Sequence, residues 1–320
     1  MFVDLPLDQL RTYRPDVAEP DDFDAFWADQ LAQARSVVTA PVFAPVDTPL
    51  RSVQVFDLTF PGYAGDPVRG WLLLPEHEIA DAPLVVEYIG YNGGRGDPLD
   101  WLPWSASGFP HLVMDSRGQG GGWRGAATAD PHDGEPSTNG LMTRGIADPQ
   151  RYYYTRLFVD AVRAVDAALT RPELAGRPVL TTGASQGGAL SIVAAAHHDA
   201  VTACAPDVPF LAHPRRAAMI TESRPFGELA EYCAVYPDRV AQVFATLSYI
   251  DVVNHAKRAE VPALFSVALL DDITPASTVF AAYNHYRGAA RDIAVYEFND
   301  HAGGGTLHLR RKLAFAASAG

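Results

Sequence analysis

The sequence is poor in cysteine. Only Cys204 and Cys233 occur among the 320 residues, and no cluster of cysteine and histidine has the spacing of a zinc site. Neither a disulfide framework nor a structural metal is therefore indicated, and we expect two reduced thiols. Burial of apolar side chains, which make up 48% of the residues, has to hold the fold together.

Long apolar runs and basic clusters are absent as well. The most apolar stretches, such as residues 263–270, are much shorter than the roughly 20 residues that span a bilayer. The amino-terminal residues include acids and an early proline, unlike a secretory signal. The formal net charge is −13, from 25 Lys and Arg against 38 Asp and Glu. We therefore expect a cytoplasmic protein with a neutral substrate and with no membrane or nucleic-acid partner.

Strand-like runs alternate with helical patterns along most of the chain, without repeats or low-complexity tracts. This alternation predicts βαβ units and a mostly parallel sheet with helices on both faces. We interpret residues 1–320 as one domain, with 1–50 as a lead-in containing an amphipathic helix and 209–254 as a small helical cap insertion. The predicted strands are 51–58, 68–74, 84–89, 111–115, 178–183, 263–270 and 293–298, and the predicted helices are 153–169, 187–198, 277–286 and 306–317.

The strongest local signal is Gly183-Ala184-Ser185-Gln186-Gly187, which lies between a predicted strand and a predicted helix. This is the G-x-S-x-G elbow of an α/β-hydrolase, in which a sharp turn exposes a serine and small neighbours let strand and helix approach closely. The pattern also arises by chance in glycine-rich turns, which is the alternative interpretation. Its context favours an α/β-hydrolase fold with Ser185 as nucleophile.

A nucleophilic serine needs a base and an orienting acid further along the chain. His301 follows the last predicted strand, in a loop with three glycines that leave room for an imidazole over the elbow. Asp271 and Asp272 directly follow the strand 263–270. We assign the acid to Asp271, while Asp272 has the alternative role of a turn residue or a helix N-cap. The resulting order of serine, acid and histidine is that of α/β-hydrolases.

Backbone N–H groups are expected to bind the oxyanion. Gln186 at the helix amino terminus supplies one, and Tyr91, in the glycine-containing loop after a central strand, supplies the other. For Tyr91, a plain glycine turn with a packed tyrosine is the alternative. Core packing is the commoner role for aromatic side chains, but several could form an acyl pocket and a sugar platform. The predicted substrate-binding residues are Tyr91, Trp104, Phe210, Pro225 and Phe226, with Trp101 and Trp123 as further candidates.

Six segments spread over nearly the whole chain carry a resemblance to a known family. They are FDAFW near the start, YIGYNGGRG at 88–96, DSRGQGGGW at 115–123, GASQGG at 183–188, DDITPASTVFAAYN at 271–284 and NDHAGGG at 299–305. Together they resemble the acetyl xylan esterase and cephalosporin C deacetylase family, carbohydrate esterase family seven. The resemblance implies a triad of Ser185, Asp271 and His301 and an oxyanion hole of the Tyr91 and Gln186 amides.

The resemblance also implies features beyond the reacting groups. The RGQ motif of the family falls at Arg117-Gly118-Gln119, where bidentate hydrogen bonds from the arginine would hold neighbouring loops. The family forms hexamers whose active sites face an interior cavity, which implies a homo-oligomer acting on small or oligomeric substrates. One departure is Ala302, where the family usually has glutamate, and Asp300 is the nearby charge able to compensate in part.

These features predict a serine esterase that deacetylates acetylated xylo-oligosaccharides and small esters such as cephalosporin C. His301 would remove the Ser185 proton while Asp271 orients the imidazole, so neither a metal nor an organic cofactor is needed. A peptidase or a lactone hydrolase remains an alternative, because the fold alone does not choose the leaving group. A non-catalytic carbohydrate-binding relative is a third possibility.

Overall fold

A nine-stranded sheet forms the centre of the computed structural model, which describes residues 4–132 and 140–318. The strands are β1 (Val42–Val46), β2 (Val53–Pro61), β3 (Pro67–Pro75), β4 (Leu84–Tyr88), β5 (His111–Met114), β6 (Val179–Ala184), β7 (Val201–Asp207), β8 (Ala263–Ala268) and β9 (Arg291–Tyr296). Their order in space is β1-β2-β3-β5-β4-β6-β7-β8-β9. The six strands from β5 to β9 in this order are parallel, and β1, β2 and β3 join antiparallel at one side. The predicted, mostly parallel sheet is confirmed.

Helices cover both faces of this sheet. Alternate residues of a strand point to opposite faces, and Leu84 and Val86 of β4 lie in a different apolar cluster from Val85. The larger cluster contains α2, α4 and α5, whereas the smaller one includes Trp104 of α3 and Ala316 of α11. The helices are α1 (Leu7–Leu10), α2 (Phe23–Ser36), α3 (Leu102–Ala106), α4 (Tyr153–Ala168), α5 (Gln186–His197), α6 (Pro214–Ile220), α7 (Phe226–Val235), α8 (Val240–Ile250), α9 (Val252–Ala256), α10 (Ala276–His285) and α11 (Gly305–Ala317).

Two strands were not predicted from the sequence. β7 reads VTACAPD, whose small residues and proline lack the β-branched and aromatic run that marks a strand. It nevertheless lies between β6 and β8, where neighbouring side chains fill the space and Ala203 and Ala205 suffice for packing. β1 contains Pro45 and lies at the exposed edge of the sheet, where a missing N–H is tolerated.

Four helices, α6 to α9, lie between β7 and β8, over much of the range 209–254 predicted as a cap. The lead-in helix α2 contacts this insertion, since Trp27 Nε1 donates to Tyr249 O at 3.0 Å. Residues 1–3 of the predicted lead-in lie outside the described residues. Within 4–132 and 140–318, no helix has both the length and the apolar character needed to cross a membrane.

Candidate active site

Ser185 occupies a sharp turn between β6 and α5. Its φ of 58° and ψ of −117° lie in a region that non-glycine residues rarely adopt. A Cβ at Gly183 would lie 2.5 Å from Tyr88 O, and one at Gly187 would lie 2.1 Å from the same atom. The end of β4 therefore leaves no room for larger residues on either side of the serine, which is the reason for the glycines of the elbow.

Asp271 and His301 are in direct contact. His301 Nδ1 lies 2.8 Å from Asp271 Oδ2. The Asp271 carboxylate is fully buried and also accepts from Ile273 N at 2.9 Å, and from Thr274 N and Thr274 Oγ1 at 2.9 and 2.7 Å. These donors fix the carboxylate, so its orientation toward the imidazole does not depend on His301 alone.

Asp272 points elsewhere. Its carboxylate accepts from Ser223 Oγ at 2.9 Å, and the N-cap of α10 is Pro275. The alternative that made Asp272 a helix N-cap is therefore wrong. Its carboxylate instead links the end of β8 to the insertion.

The loop that carries His301 passes over the carboxyl ends of β7 and β8. A Cβ at Gly303 would lie 3.0 Å from Val208 Cγ1 and 3.1 Å from Ser266 Oγ. The elbow adjoins the same strand end, because Ser185 N donates to Asp207 O at 2.9 Å. The three residues predicted as a triad thus come from neighbouring strand ends on one edge of the sheet. Ala302 is exposed, and its N–H donates to Asp300 Oδ1 at 3.0 Å within this loop.

A buried charge cluster fixes the helix that follows this loop. Lys312 Nζ of α11 lies 2.6 Å from Asp207 Oδ2 and donates to Thr182 Oγ1 at 3.1 Å, while His308 Nε2 lies 2.9 Å from Asp207 Oδ1. Burial alone would raise the pKa of Asp207, but Lys312 and His308 outweigh it and lower the pKa below its ordinary value. The cluster ties α11 to β6 and β7, the two strands that flank the elbow.

The backbone N–H groups of Tyr91 and Gln186, the two predicted oxyanion donors, belong to segments that side-chain hydrogen bonds connect. Within the described part of the chain, no hydrogen bond uses the backbone N–H of Tyr91 or of Gln186. Gln119 connects their segments, since its Oε1 accepts from Asn92 N at 2.7 Å and its Nε2 donates to Gln186 Oε1 at 2.8 Å. Gln186 Nε2 in turn donates to Ile89 O at 3.0 Å. Their role as oxyanion donors remains a prediction, and this network connects the two segments that carry them.

The surroundings of the other two residues of the RGQ motif, Arg117 and Gly118, indicate a structural role. Arg117 is fully buried, with Nε and Nη2 at 2.5 and 2.8 Å from the two oxygens of Asp160. Its Nη1 lies 2.9 Å from Asp66 and 3.3 Å from Asp130. Burial alone would lower the pKa of Arg117, but the three carboxylates raise it above its ordinary value. Gly118 has a φ of 63°, which favours glycine.

Replacing Arg117 with methionine should lower the free energy of unfolding by about 3–5 kcal/mol, because it leaves the buried Asp160 carboxylate without its cation. Guanidinium unfolding followed by circular dichroism measures this change. Arg311→Met is the matched control, since Arg311 pairs with Asp292 on the exposed side of α11, and its loss should cost less than about 1 kcal/mol. Equal losses in the two variants would contradict a structural role for Arg117.

Three predicted pocket residues pack together beside the elbow. Phe210 N donates to Ser185 O at 3.0 Å, and the Phe210 ring centroid lies 4.4 Å from that of Phe226 and 6.4 Å from that of Tyr91. Pro225, which precedes Phe226, is buried. Phe210 and Phe226 are fully buried in the apolar core beside the elbow, and their contact with an acyl group remains a prediction.

The prediction that Trp104 binds substrate is wrong. Its side chain is 2% exposed and packs with Phe109, at 5.7 Å between centroids, in the cluster that contains Val85 and Leu180. These residues lie where β4 and β6 begin, whereas Ser185 follows the end of β6. Trp104 is therefore a core residue at the opposite edge of the sheet.

Trp101 and Trp123 differ in exposure. Trp101 is 7% exposed, and its Nε1 donates to Arg95 O at 2.6 Å, so it belongs to the core. Trp123 is 54% exposed, and its Nε1 donates to Tyr91 O at 3.0 Å. Of the two, only Trp123 presents an aromatic surface next to the candidate site.

The backbone closely matches solved esterase structures. The acetyl xylan esterase from Paenibacillus sp. R4 is 35% identical with a TM-score of 0.89, and the match covers 98% of this chain and 100% of that one. Acetyl xylan esterase 1 from Thermoanaerobacterium sp. JW/SL YS485 is 31% identical with a TM-score of 0.85, covering 97% and 99% of the two chains. These similarities confirm the predicted α/β-hydrolase fold.

Sequence comparisons point the same way. Acetyl esterase Axe7A of Xylanibacter ruminicola is 27% identical over 303 residues, which cover 90% of this chain. The match spans only 65% of the length of that relative. The family model for acetyl xylan esterase (AXE1) matches residues 1–319. The family resemblance seen in the sequence is confirmed, and the chain belongs to the acetyl xylan esterase family.

Proposed function

We propose that this protein is a serine carboxylic ester hydrolase that removes acetyl groups, with Ser185, His301 and Asp271 as its catalytic triad. The observation that carries this proposal is the 2.8 Å contact between His301 and Asp271 at the sheet edge where the strained elbow presents Ser185. Membership of the acetyl xylan esterase family supports acetyl as the acyl group.

The proposed reaction uses only groups of this chain and a water molecule. His301 accepts the Ser185 hydroxyl proton at Nε2 while Nδ1–H donates to Asp271, and Ser185 Oγ attacks the acetyl carbonyl carbon. The N–H groups of Tyr91 and Gln186 donate to the oxyanion. His301 then protonates the departing alcohol. A water molecule, deprotonated by His301, hydrolyses the acetyl-enzyme and releases acetate.

The substrate is proposed to be a small acetylated sugar, such as an acetylated xylo-oligosaccharide, or another small ester such as cephalosporin C. The close packing of the buried Phe210 and Phe226 rings beside Ser185 supports a short acyl group, because large side chains already fill the volume next to the proposed nucleophile. Assembly as a hexamer and a cytoplasmic location remain predictions from the sequence.

We expect p-nitrophenyl acetate to be hydrolysed with at least about tenfold higher kcat/KM than p-nitrophenyl butyrate, because a closed pocket penalises additional methylenes. Steady-state kinetics on both esters, and on acetylated xylobiose beside acetylated polymeric xylan, test this expectation. Faster butyrate hydrolysis would contradict the small pocket. Faster cleavage of a peptide p-nitroanilide would favour a peptidase instead.

The nucleophile can be identified independently of substrate choice. Phenylmethylsulfonyl fluoride should inactivate the protein and modify Ser185, as located by mass spectrometry of proteolytic peptides. Prior incubation with a competing acetyl ester should slow the modification. Inactivation accompanied by sulfonylation of a different serine would contradict the assignment of Ser185 as the nucleophile.

A further inference from the structure

Glu228 is a buried acid that the mechanism does not use. It lies in the first turn of α7, is 6% exposed, and accepts from Met142 N at 3.3 Å. The Tyr91 hydroxyl donates to it, with distances of 2.9 and 3.1 Å to its two carboxylate oxygens. Among the residues that the structure describes, no Lys, Arg or His forms an ion pair with Glu228. A buried carboxylate without a cation is costly, so the hydrogen bonds from Tyr91 and Met142 have to stabilise it.

Through Tyr91, this carboxylate connects the insertion to the loop after β4. The Tyr91 hydroxyl also accepts from Leu141 N at 3.3 Å, and the Tyr91 carbonyl accepts from Trp123 Nε1 at 3.0 Å. Burial and the charge of Glu228 raise the pKa of Tyr91 well above its ordinary value, so the phenol stays protonated and can donate. Both ends of Tyr91 are therefore fixed, the ring by Glu228 and the backbone by Trp123.

The Tyr91 ring also lies near the elbow. Its centroid lies 6.4 Å from that of Phe210, whose N–H donates to Ser185 O. Rotation of the ring away from Phe210 would leave a gap beside the residue that contacts Ser185. The residue whose backbone N–H is proposed to bind the oxyanion thus also places its ring beside Phe210, and the hydrogen bond to Glu228 holds the ring there.

We propose that Glu228 is a positioning residue that sets acyl-chain selectivity by fixing the Tyr91 ring. This proposal rests on the proposed function and goes beyond it, because it assigns the preference for acetyl to a hydrogen bond between the insertion and the loop after β4. Glutamine at position 228 carries no charge and has one acceptor oxygen in place of two. It therefore loses either the closer contact with the Tyr91 hydroxyl, at the Oε1 position, or the contact with Met142 N, at the Oε2 position.

The test compares Glu228→Gln, Tyr91→Phe and the double variant, using kcat and KM for p-nitrophenyl acetate and butyrate. Each single change should lower the acetyl-to-butyryl ratio of kcat/KM by about five- to tenfold, mainly through a lower KM for butyrate. Because both act on one contact, the double variant should show no larger change than either single variant. Glu231→Gln, on the exposed part of the same helix and beside Arg224, is the matched control and should leave the ratio unchanged.

An unchanged acetyl-to-butyryl ratio of kcat/KM in folded Glu228→Gln would overturn the proposal. A change of this ratio in the double variant equal to the product of the two single changes would also overturn it. If Glu228→Gln does not fold, the Tyr91→Phe variant tests the proposal instead, because it removes the hydroxyl that donates to Glu228 and keeps the Glu228 carboxylate. An unchanged ratio in that variant also overturns the proposal. Failure of the proposed function has a different signature, namely a wild-type protein that hydrolyses neither ester.

Discussion

Replacing Ser185 with alanine should lower kcat/KM for p-nitrophenyl acetate by a factor on the order of 10⁵ to 10⁶. The methyl group cannot form the acyl-enzyme, while the proposed oxyanion donors, the N–H groups of Tyr91 and Gln186, remain and would account for any residual rate. Stopped assays at high enzyme concentration measure this residual activity. Because the change removes one oxygen from a side chain that is 6% exposed, circular dichroism and melting temperature should stay close to wild type.

Ser107→Ala is the matched control for this experiment. Ser107 follows α3, and its hydroxyl donates to Pro103 O at 2.7 Å on the surface. Its loss should leave hydrolysis unchanged. If the activity of Ser185→Ala is within tenfold of the wild-type activity, both the assignment of Ser185 as nucleophile and the proposed esterase mechanism are wrong.

Replacing Asp271 with asparagine should reduce kcat by about 10⁴-fold with little change in KM. The carboxylate accepts from His301 and from the backbone of Ile273 and Thr274. An asparagine of the same size has to place its NH₂ against one of these donors, which disfavours the imidazole tautomer with a proton on Nδ1. Steady-state kinetics on p-nitrophenyl acetate separates this loss in kcat from a loss of substrate binding.

Asp272→Asn provides the comparison within the same turn. Asp272 accepts from Ser223 rather than from His301, so the variant should keep a kcat close to that of the wild type. The reverse result, with Asp272→Asn inactive and Asp271→Asn active, would transfer the role of the acid to Asp272. Both variants need a check of folding by circular dichroism, because Asp271 also fixes the turn after β8.

The parts of the site that could be predicted are those that depend on local sequence. The strand, the elbow around Ser185 and the helix are contiguous, so a short pattern fixes their geometry. Asp271 and His301 follow from their positions after two recognisable strands. Prediction failed where the local pattern is ambiguous. The strand β7 was missed because it has small residues in place of a β-branched run. The position of Trp104 was wrong because nothing in the local sequence shows toward which edge of the sheet its side chain packs.

Residues that support the site from a distance could not be predicted. Glu228 lies 137 positions from Tyr91, and Lys312 lies 105 positions from Asp207. Each pair meets only because the sheet places distant strand ends and helices side by side, and neither acid belongs to a pattern that marks it. A glutamate early in a helix and a lysine late in another are ordinary surface residues until their burial is known.

The contact between α11 and Asp207 determines when, during synthesis of the chain, the candidate site can be held in place. A ribosome releases the elbow and Asp271 well before the last helix, and the contacts of His308 and Lys312 with Asp207 can hold that helix on the strands beside Ser185 only after both residues have emerged. A chain terminated ahead of Lys312 would thus contain all three proposed reacting residues but lack the tether for the His301 loop. We therefore expect the proposed site to be held in place only after α11 has been synthesised, later than its three reacting residues.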